Sequence, residues 1–555
     1  MPSTTRSRRR GPRALSFALL GLVVLLTLCV LAVALWQRLS REQPGREVTL
    51  AVAYSPEKEE LFSALVAAFN ATKPRLPNGQ TVQIKATAVT PDEMVAYAGD
   101  NLYQALSPDS SLWLAEVDRA WRGQHPDAAP LVGETTRYMV SPIVIAMWQE
   151  VAASLGYPGK ELGWQDLLRA ASNPEFKWSH PSTGTASGLL ATLAEFYAGA
   201  GLTRDLTEEA ATAPATLDYV ARLERTVKHY GEGELAVIQQ IQEKGRSYLD
   251  AFVIQEQLLI RYNQRQGKQL VAIYPVEGTM WADHPLALLE HPALTAEQRL
   301  AYAQFKEYLT SEATQKRILQ AGYRPTNLLL RLDGPDSPFK AENGVDPAKP
   351  YTTLQIPSPS VISVVKNVWQ YTKRKANIYL VADTSGSMAG AKLQDAQEAL
   401  RLFIAQIEGG QERVGLIAFA DAPREVVPLV QLGEGRERLN RAVDGLVANG
   451  STALLDAVDL ALTRLQALND KERINTIVVM TDGRENHSRT TVNALVEKLR
   501  RQNKTDLPIV VFCIAYGRDA DFQMLEQLSS AGGGFTRRGE LETIKELYKT
   551  LSTYF

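Results

Sequence analysis

A short apolar run that ends in a cluster of oxygen-bearing side chains constrains this chain more than any other feature. Residues 378–382 are continuously apolar, which is typical of a buried parallel strand, and Asp383, Ser385 and Ser387 follow in the next loop. Ligand sites in open α/β sheets lie at these carboxyl ends of the strands. A carboxylate and two hydroxyls at alternate positions can converge on one ion, and Mg²⁺ prefers such oxygen ligands. The sequence therefore predicts a divalent-cation site in this loop.

Two more oxygen-bearing side chains stand at loop positions of the same kind. Thr452 lies in a Gly-Ser-Thr loop just before an amphipathic helical pattern, and Asp482 ends another apolar run. Gly483 after it permits a sharp turn. Apolar runs that alternate with amphipathic helical patterns predict a doubly wound α/β sheet over residues 376–555. These runs are residues 414–419, 476–480 and 509–515, and the spacing of Leu541, Ile544, Leu547 and Leu551 predicts a terminal helix on the sheet.

This arrangement resembles the von Willebrand factor type A (VWA) domain, whose metal-ion-dependent adhesion site consists of Asp-x-Ser-x-Ser, a distant Thr and a distant Asp. The resemblance implies that Mg²⁺, or Mn²⁺ or Ca²⁺ in its place, is held by five residues: Asp383, Ser385, Ser387, Thr452 and Asp482. It also implies a protein partner that supplies an acidic side chain to the metal. The sequence has no zinc-type His pair, Walker A motif or Gly-x-Ser-x-Gly elbow, so we expect binding rather than catalysis.

An uncharged apolar stretch lies near the N-terminus. Residues 15–36 can span a hydrocarbon core of ~30 Å as a helix. Five arginines precede this stretch and only two follow it closely: Arg6, Arg8, Arg9, Arg10 and Arg13, then Arg38 and Arg41. The positive-inside rule therefore predicts a cytoplasmic tail (1–13), a transmembrane helix (14–36) and an extracytoplasmic remainder. A cleavable signal peptide is the alternative, because residues 32–34 read Ala-Val-Ala, although the run exceeds the usual apolar region of about 7–15 residues.

Composition narrows the choice of protein class. The chain has 555 residues, a net charge of −2 and 22% charged residues, which describes an ordinary ectodomain and does not indicate a nucleic-acid partner. Its two cysteines, Cys29 and Cys513, fall in the apolar stretch and in a predicted core strand, so a disulfide framework is excluded. The length is enough for three domain-sized units.

Residues 47–327 form a second α/β region. They open with a strand, a loop and an amphipathic helix, and later apolar runs continue the pattern without a short internal repeat. The order of elements and several phrases resemble bacterial extracellular solute-binding proteins of the two-lobed type 2 periplasmic class. These phrases are residues 141–148, 163–168, 274–279 and 321–325. The resemblance implies two lobes with a ligand cleft between them.

A hydroxyl-rich segment gives the local candidate for a ligand site in that cleft. Thr183, Thr185 and Ser187 precede a helical pattern, and free N–H groups at a helix start suit a small solute or oxyanion. The alternative is a Ser/Thr cap on a Gly-containing turn, which explains the same residues without a ligand. By resemblance to the solute-binding family, further residues line the same cleft: Ser55, Ser110, Ser111, Tyr274 and Glu277.

Residues 328–375 read as a Pro-rich connector that contains one helical pattern, at 361–371. Two functions fit the whole chain. The first is a bacterial membrane-anchored adhesion or scaffold protein, with the solute-binding-like domain as a sensor or second interaction surface. The second is a solute receptor of a transport or signalling system, tethered through the VWA domain. The complete five-residue metal pattern favours the first, and an enzyme is the least favoured class.

Overall fold

The computed structural model describes residues 47–230, 233–407, 410–503, 505, 507–517 and 519–539. Within those ranges, every helix is too short or too polar to cross a membrane. The predicted transmembrane helix (14–36), Cys29 and the predicted terminal helix around residues 541–551 lie outside the described residues.

The first α/β region contains strands β1 to β11. They are β1 (Val48–Tyr54), β2 (Val82–Ala88), β3 (Ala105–Ser107), β4 (Val132–Arg137), β5 (Met139–Trp148), β6 (Trp178–Ser179), β7 (Ala251–Gln255), β8 (Leu270–Ile273), β9 (Trp281–Ala282), β10 (Pro285–Leu289) and β11 (Arg324–Pro325). One sheet has the order β2-β1-β3-β10-β4, and the other has the order β11-β5-β7-β6 with β8 and β9 also pairing with β5. The chain leaves the first sheet after β4 and returns to it as β10. Two lobes therefore form, each around its own sheet; we call them lobe I and lobe II.

Helices cover the faces of both sheets, as expected where strands alternate with amphipathic segments. They are Glu59–Ala71, Pro91–Tyr97, Leu112–Gln124, Gln149–Ser154, Trp164–Ala171, Ala186–Ala200, Glu208–Thr212, Pro214–Glu224, Glu234–Lys244, Glu256–Gln266, Ala296–Thr310 and Glu312–Gln320. Their starts carry recognisable caps; at Thr295, for example, the side chain accepts from the N–H of Gln298, whose own side chain returns to the backbone of Thr295. Strand–helix alternation thus follows from local sequence.

The C-terminal region is built on a third sheet. Its strands are β12 (Ala376–Asp383), β13 (Arg413–Phe419), β14 (Pro423–Gln431), β15 (Ile474–Thr481), β16 (Ile509–Tyr516) and β17 (Thr536–Gly539), in the order β14-β13-β12-β15-β16-β17. All neighbours are parallel except β13 and β14. The helices are Ala391–Gln406, Leu432–Asp444, Leu454–Leu468, Val492–Gln502 and Phe522–Ala531. Every residue of β12, β15 and β16 is buried, as a sheet covered on both faces requires, and the mixed α/β class is confirmed.

A helix joins the two regions. It spans Pro359–Thr372, slightly longer than the pattern predicted at 361–371, and packs on the lobe II helices Ala186–Ala200, Glu208–Thr212 and Pro214–Glu224. One continuous cluster of buried apolar residues runs from lobe II through this connecting helix to one face of the third sheet. The connector is therefore part of a packed core, whereas the exact domain boundaries at 327/328 and 375/376 stay predictions.

A basic cavity of about 640 Å³ lies where lobe II meets the third sheet. Six cationic side chains line it, together with Glu472: Lys177, Arg225, Lys228, Lys244, Arg374 and Lys471. Arg374 crosses the junction, because its guanidinium donates to the carbonyl of Val227 at 3.0 Å and to that of Lys471 at 2.9 Å. Lys177, Lys228 and Lys244 likewise donate to backbone carbonyls, which are neutral acceptors, so these contacts do not neutralise their charge.

Lys228 makes the stability of this junction dependent on pH. Burial, together with Lys177 and Lys244, lowers the pKa of Lys228 from 10.5 to about 7. Between pH 7 and 10.5 the unfolded chain therefore binds the extra proton, and the free energy of unfolding rises with pH. We expect the melting temperature of the wild type to increase from pH 7 to 9.5 relative to Lys228→Met, by the equivalent of about 3 kcal/mol. If the melting temperatures of the two proteins change equally with pH, this prediction is wrong.

Candidate metal centre and inter-lobe cleft

The strand β12 ends at a carboxylate that is fixed from two sides. Asp383 is fully buried, and its Oδ1 accepts from the N–H of Ser385 at 2.8 Å. Its Oδ2 accepts from the hydroxyl of Thr481, the last residue of β15. Burial raises the pKa of Asp383. The two central parallel strands therefore hold this carboxylate at their common edge.

Three hydroxyls and a second carboxylate gather beside it. The Oγ atoms of Ser385 and Ser387 lie 3.0 Å apart, and Ser387 donates to Asp482 Oδ1 at 2.7 Å. A β-carbon placed on Gly483 would lie 3.4 Å from Ser387 Oγ and 3.5 Å from Thr452 Oγ1. The three loops that the sequence singled out thus bring all five predicted side chains to one end of the sheet.

Backbone hydrogen bonds tie these loops together. The N–H of Gly386 donates to the carbonyl of Gly450 at 3.0 Å, and the N–H of Asn449 donates to that of Thr384 at 2.8 Å. Asn486 accepts from the N–H of Thr452 at 2.9 Å. Gly450 has a φ of +73°, and a β-carbon there would lie 2.8 Å from the Asp421 carboxylate. Glycine is needed at this point for both reasons.

The donor set fits a divalent cation. It offers two carboxylates and three hydroxyls, all hard oxygen ligands of the kind that Mg²⁺ prefers. Asp383, Ser385, Thr452 and Asp482 are buried, whereas Ser387 is exposed at the rim. An ion held here would keep one side open to solvent, where an acidic side chain of another protein can reach it.

The structure adds Lys392, which sequence reasoning missed. Its ammonium donates to Asp482 Oδ2, and its side chain is 37% exposed while that of Asp482 is fully buried. The lysine offsets one negative charge at the place where a cation would bind. Its position near the start of the helix Ala391–Gln406, directly after the metal loop, is what brings it close to the site.

Lys392 is therefore expected to compete with the metal. In Lys392→Gln, Asp482 loses its internal cation, and we expect Mg²⁺ to bind about 5-fold more tightly, since the ion no longer displaces a partly exposed ammonium from a buried carboxylate. Calorimetric titration of wild type and variant with Mg²⁺ measures the difference. The exposed Lys471→Gln serves as a control for the loss of one positive charge, and equal affinities in all three proteins would refute the competition.

In lobe I, the predicted serines lie together at the inter-lobe cleft. Ser55 Oγ accepts from the N–H of Asp109 at 3.0 Å, and Ser110 Oγ accepts from the N–H of Leu112 at 3.3 Å. The N–H of Ser111 donates to Asp283 at 2.7 Å. All three residues belong to loops at the carboxyl ends of β1 and β3, where the fold places ligand sites.

In lobe II, Thr185 of the hydroxyl-rich segment caps a helix, as the capping alternative describes. Thr185 accepts from the N–H of Gly188 at 3.1 Å and donates to the carbonyl of Ser182 at 3.0 Å. Thr183 and Ser187 are buried. A β-carbon on Gly233 would lie 3.3 Å from Glu57 Oε1 and 3.9 Å from Thr185 Cγ2, so this segment faces a carboxylate of lobe I. That neighbour does not favour an oxyanion.

Tyr274 and Glu277 make internal contacts in lobe II. The Tyr274 hydroxyl donates to Glu256, which also forms a two-fold hydrogen bond with Arg324 at 2.8 Å. Glu277 accepts from the N–H groups of Trp164 and Gln165 at 3.0 Å each and so caps the helix Trp164–Ala171. These contacts account for both side chains without a solute, and a ligand role for either stays a prediction.

Other cleft residues were not identified from the sequence. Gln255 of lobe II donates to Asp109 of lobe I at 2.7 Å and to Glu234 at 2.9 Å. Lys58 is fully buried and lies 3.6 Å from Asp109, and burial lowers its pKa to about 8. Burial and Asp109 raise the pKa of Glu57 to about 8. The lobes thus touch through a charged, mainly acidic network.

Comparison with known proteins divides the chain in the same way. Residues 50–324 match the family model for bacterial extracellular solute-binding proteins, and residues 377–550 match the model for the von Willebrand factor type A domain. Inter-alpha-trypsin inhibitor heavy chain H4 of Sus scrofa is 29% identical over 168 residues, which cover 29% of this chain and 18% of that protein. The uncharacterized protein YfbK of Escherichia coli is 24% identical over 179 residues, 32% of this chain and 30% of that protein. This chain spans less than a third of either relative's length.

Solved structures resemble each half separately. The von Willebrand factor type A protein from Catenulispora acidiphila is 21% identical, with a TM-score of 0.30, over 33% of this chain and 42% of its own. The sulfate-binding protein SubI from Mycobacterium tuberculosis H37Rv is 22% identical, with a TM-score of 0.37, over 51% of this chain and 88% of its own.

Proposed function

Because this chain joins a bacterial solute-binding-protein domain to a von Willebrand factor type A domain, we propose that it is a membrane-anchored extracytoplasmic adhesion or scaffold protein. In this proposal the VWA domain captures a protein partner through a divalent metal, Mg²⁺ in the first instance. The solute-binding-like domain serves as a sensor or a second interaction surface.

The convergence of five oxygen-bearing side chains at one end of the third sheet carries this proposal. Asp383 and Asp482 supply charge, the three hydroxyls are neutral, and Ser387 stands at the exposed rim. An ion with mostly neutral ligands keeps residual positive charge and an exchangeable position. A carboxylate from a partner protein can balance that charge and fill that position.

Membrane anchoring rests on the sequence alone. The uncharged stretch at residues 15–36 and the arginines before it support an N-terminus in the cytoplasm and both domains outside. In that location the connecting helix Pro359–Thr372, packed on lobe II, would present the VWA domain in a defined orientation.

A capture experiment tests the metal-dependent function. The full chain in detergent is immobilised and exposed to solubilised membrane and envelope proteins in Mg²⁺, in EDTA, and as Asp383→Asn in Mg²⁺. We expect a partner that only the wild type in Mg²⁺ retains. Equal retention under all three conditions would refute capture through the metal.

The acidic network between the lobes favours a second candidate, a solute receptor. Asp109 of lobe I and Gln255 of lobe II meet at 2.7 Å, so closure of the lobes is linked to groups within the cleft. A solute that enters the cleft would replace this contact. The solute-receptor candidate is tested by measuring the thermal shifts that small solutes produce in the wild type and in Asp109→Asn. A solute that stabilises both proteins equally does not bind in the cleft.

A further inference from the structure

A second constellation of metal-binding side chains lies in the core of lobe II, away from the VWA loops. His180 follows β6, Glu195 is on the helix Ala186–Ala200, and Glu224 ends the helix Pro214–Glu224. All three side chains are fully buried, and one ligand atom from each lies within 4.8 Å of the others. Neither the cleft nor the VWA metal site includes them.

The histidine is oriented as a metal ligand would be. His180 Nδ1 lies 2.8 Å from the carbonyl oxygen of Pro181, so Nδ1–H donates there and the Nε2 lone pair faces the carboxylates. Nε2 is 3.4 Å from Glu224 Oε2 and 3.8 Å from Glu195 Oε1. A tetrahedral zinc ion with bonds of about 2.0–2.2 Å separates its ligand atoms by about 3.4 Å. The spacing therefore matches a ligand set better than a direct hydrogen bond.

The two carboxylates differ in the hydrogen-bond donors that they contact. Trp369 Nε1 donates to Glu224 Oε1, and the Tyr230 hydroxyl donates to Glu224 Oε2. Among the described residues, no N–H group or hydroxyl donates to either oxygen of Glu195, whose hydrogen-bonding neighbour is the Glu224 carboxyl group. A buried carboxylate without a hydrogen-bond donor is costly. Two carboxylates beside one imidazole also leave net negative charge in an apolar setting. Burial and the neighbouring Glu224 raise the pKa of Glu195.

Aromatic rings enclose the constellation. The rings of Trp178 and Tyr230 lie 5.6 and 5.2 Å from the His180 ring, and Trp369 completes the enclosure at 6.5 Å. They exclude bulk water, which would otherwise screen the negative charge. The compensating group must therefore be a cation or a proton held inside the core.

We propose that His180 Nε2, Glu195 and Glu224 bind a structural transition-metal ion of the zinc class in the core of lobe II. The mixed nitrogen and oxygen ligand set suits Zn²⁺ better than Mg²⁺. The ion locks the junction between the domains, because Trp369 of the connecting helix contacts Glu224. Tyr230 extends the link, since its hydroxyl accepts from the N–H of Arg374 at 2.9 Å, just before β12 begins.

The test separates this centre from the VWA site. Full-length Asp383→Asn, which lacks one of the two VWA carboxylates, is produced with added zinc, passed over a chelating resin and analysed for bound metal. We expect about one zinc per chain. Adding Glu195→Gln is expected to reduce the affinity by more than about 100-fold, because loss of an outer-shell partner alone costs about 10–100-fold. The exposed Glu209→Gln, in the same background, is the matched control and should keep its zinc.

A second measurement covers the case in which Glu195→Gln fails to fold. Cobalt(II) supplied to Asp383→Asn during expression should give the visible absorption of a four- or five-coordinate ion with a histidine ligand, and His180→Asn should lose it. The competing explanation is a protonated Glu195. It predicts no bound metal in Asp383→Asn and an unchanged melting temperature for Glu195→Gln, and that pair of results would overturn the metal centre while leaving the VWA proposal intact.

Discussion

Replacing Asp383 with Asn is expected to abolish Mg²⁺ binding at the VWA site, with a loss of affinity of more than about 100-fold, because outer-shell losses alone cost about 10–100-fold. The asparagine keeps the shape of the side chain, and its carbonyl oxygen can still accept from the N–H of Ser385. What disappears is the negative charge. Calorimetric titration with Mg²⁺ at fixed pH measures the loss directly.

A matched variant separates charge at the site from charge on the domain. Asp444→Asn makes the same chemical change at an exposed residue that ends the helix Leu432–Asp444 and pairs with Arg401. We expect its Mg²⁺ affinity to equal that of the wild type. If Asp383→Asn also titrates like the wild type, the five converging oxygens are not a metal site.

The arrangement of the VWA loops could be predicted because its information is local. Asp383 ends a fully buried strand and Asp482 directly follows another, so burial on both faces of the sheet and the rule for carboxyl ends place them together. The loop with Thr452 comes just before a helix and meets the other two through Gly450 and Asn486. Lys392 was missed because a lysine in a first helical turn reads as an ordinary exposed residue until the carboxylate it contacts is known.

The cleft was predicted less completely because its contacts join distant parts of the chain. Ser55, Ser110 and Ser111 were expected, by resemblance, to line the cleft, and they lie at the carboxyl ends of β1 and β3. Gln255 and Asp109, by contrast, are 146 residues apart, and only the closure of the lobes brings them into contact. Glu277, predicted to line the cleft, caps a helix through a contact that depends on where the loop after β8 returns, and its ligand role stays a prediction.

The buried His180 constellation shows the same limit more sharply. Glu195 lies in the otherwise apolar and small-residue helix Ala186–Ala200, and Glu224 ends a separate amphipathic helix. Each charge reads as a solvent-facing residue when its helix is considered alone. Their meeting depends on how two helices pack, which periodicity does not specify.

Trp369 is expected to be the side chain of the connecting helix that contributes most to stability. It is 2% exposed, its ring packs against Tyr230 at 5.3 Å, and its Nε1 donates to the buried carboxylate of Glu224. Trp369→Ala removes the packing and the hydrogen bond together, and we expect a loss of about 3–5 kcal/mol in the free energy of unfolding. Trp369→Phe keeps most of the packing but leaves Glu224 Oε1 without its donor, at a cost of about 1–3 kcal/mol.

The same helix provides the control for this prediction. Tyr371 is 73% exposed, so Tyr371→Ala should change the free energy of unfolding by less than about 0.5 kcal/mol. Urea unfolding of the four full-length proteins in detergent ranks them. If the connector is rigid, the free energy of unfolding is highest for the wild type and Tyr371→Ala, lower for Trp369→Phe and lowest for Trp369→Ala. If Trp369→Ala unfolds at the same urea concentration as Tyr371→Ala, the helix is a loose spacer, and the metal state of one domain has no packed route to the other.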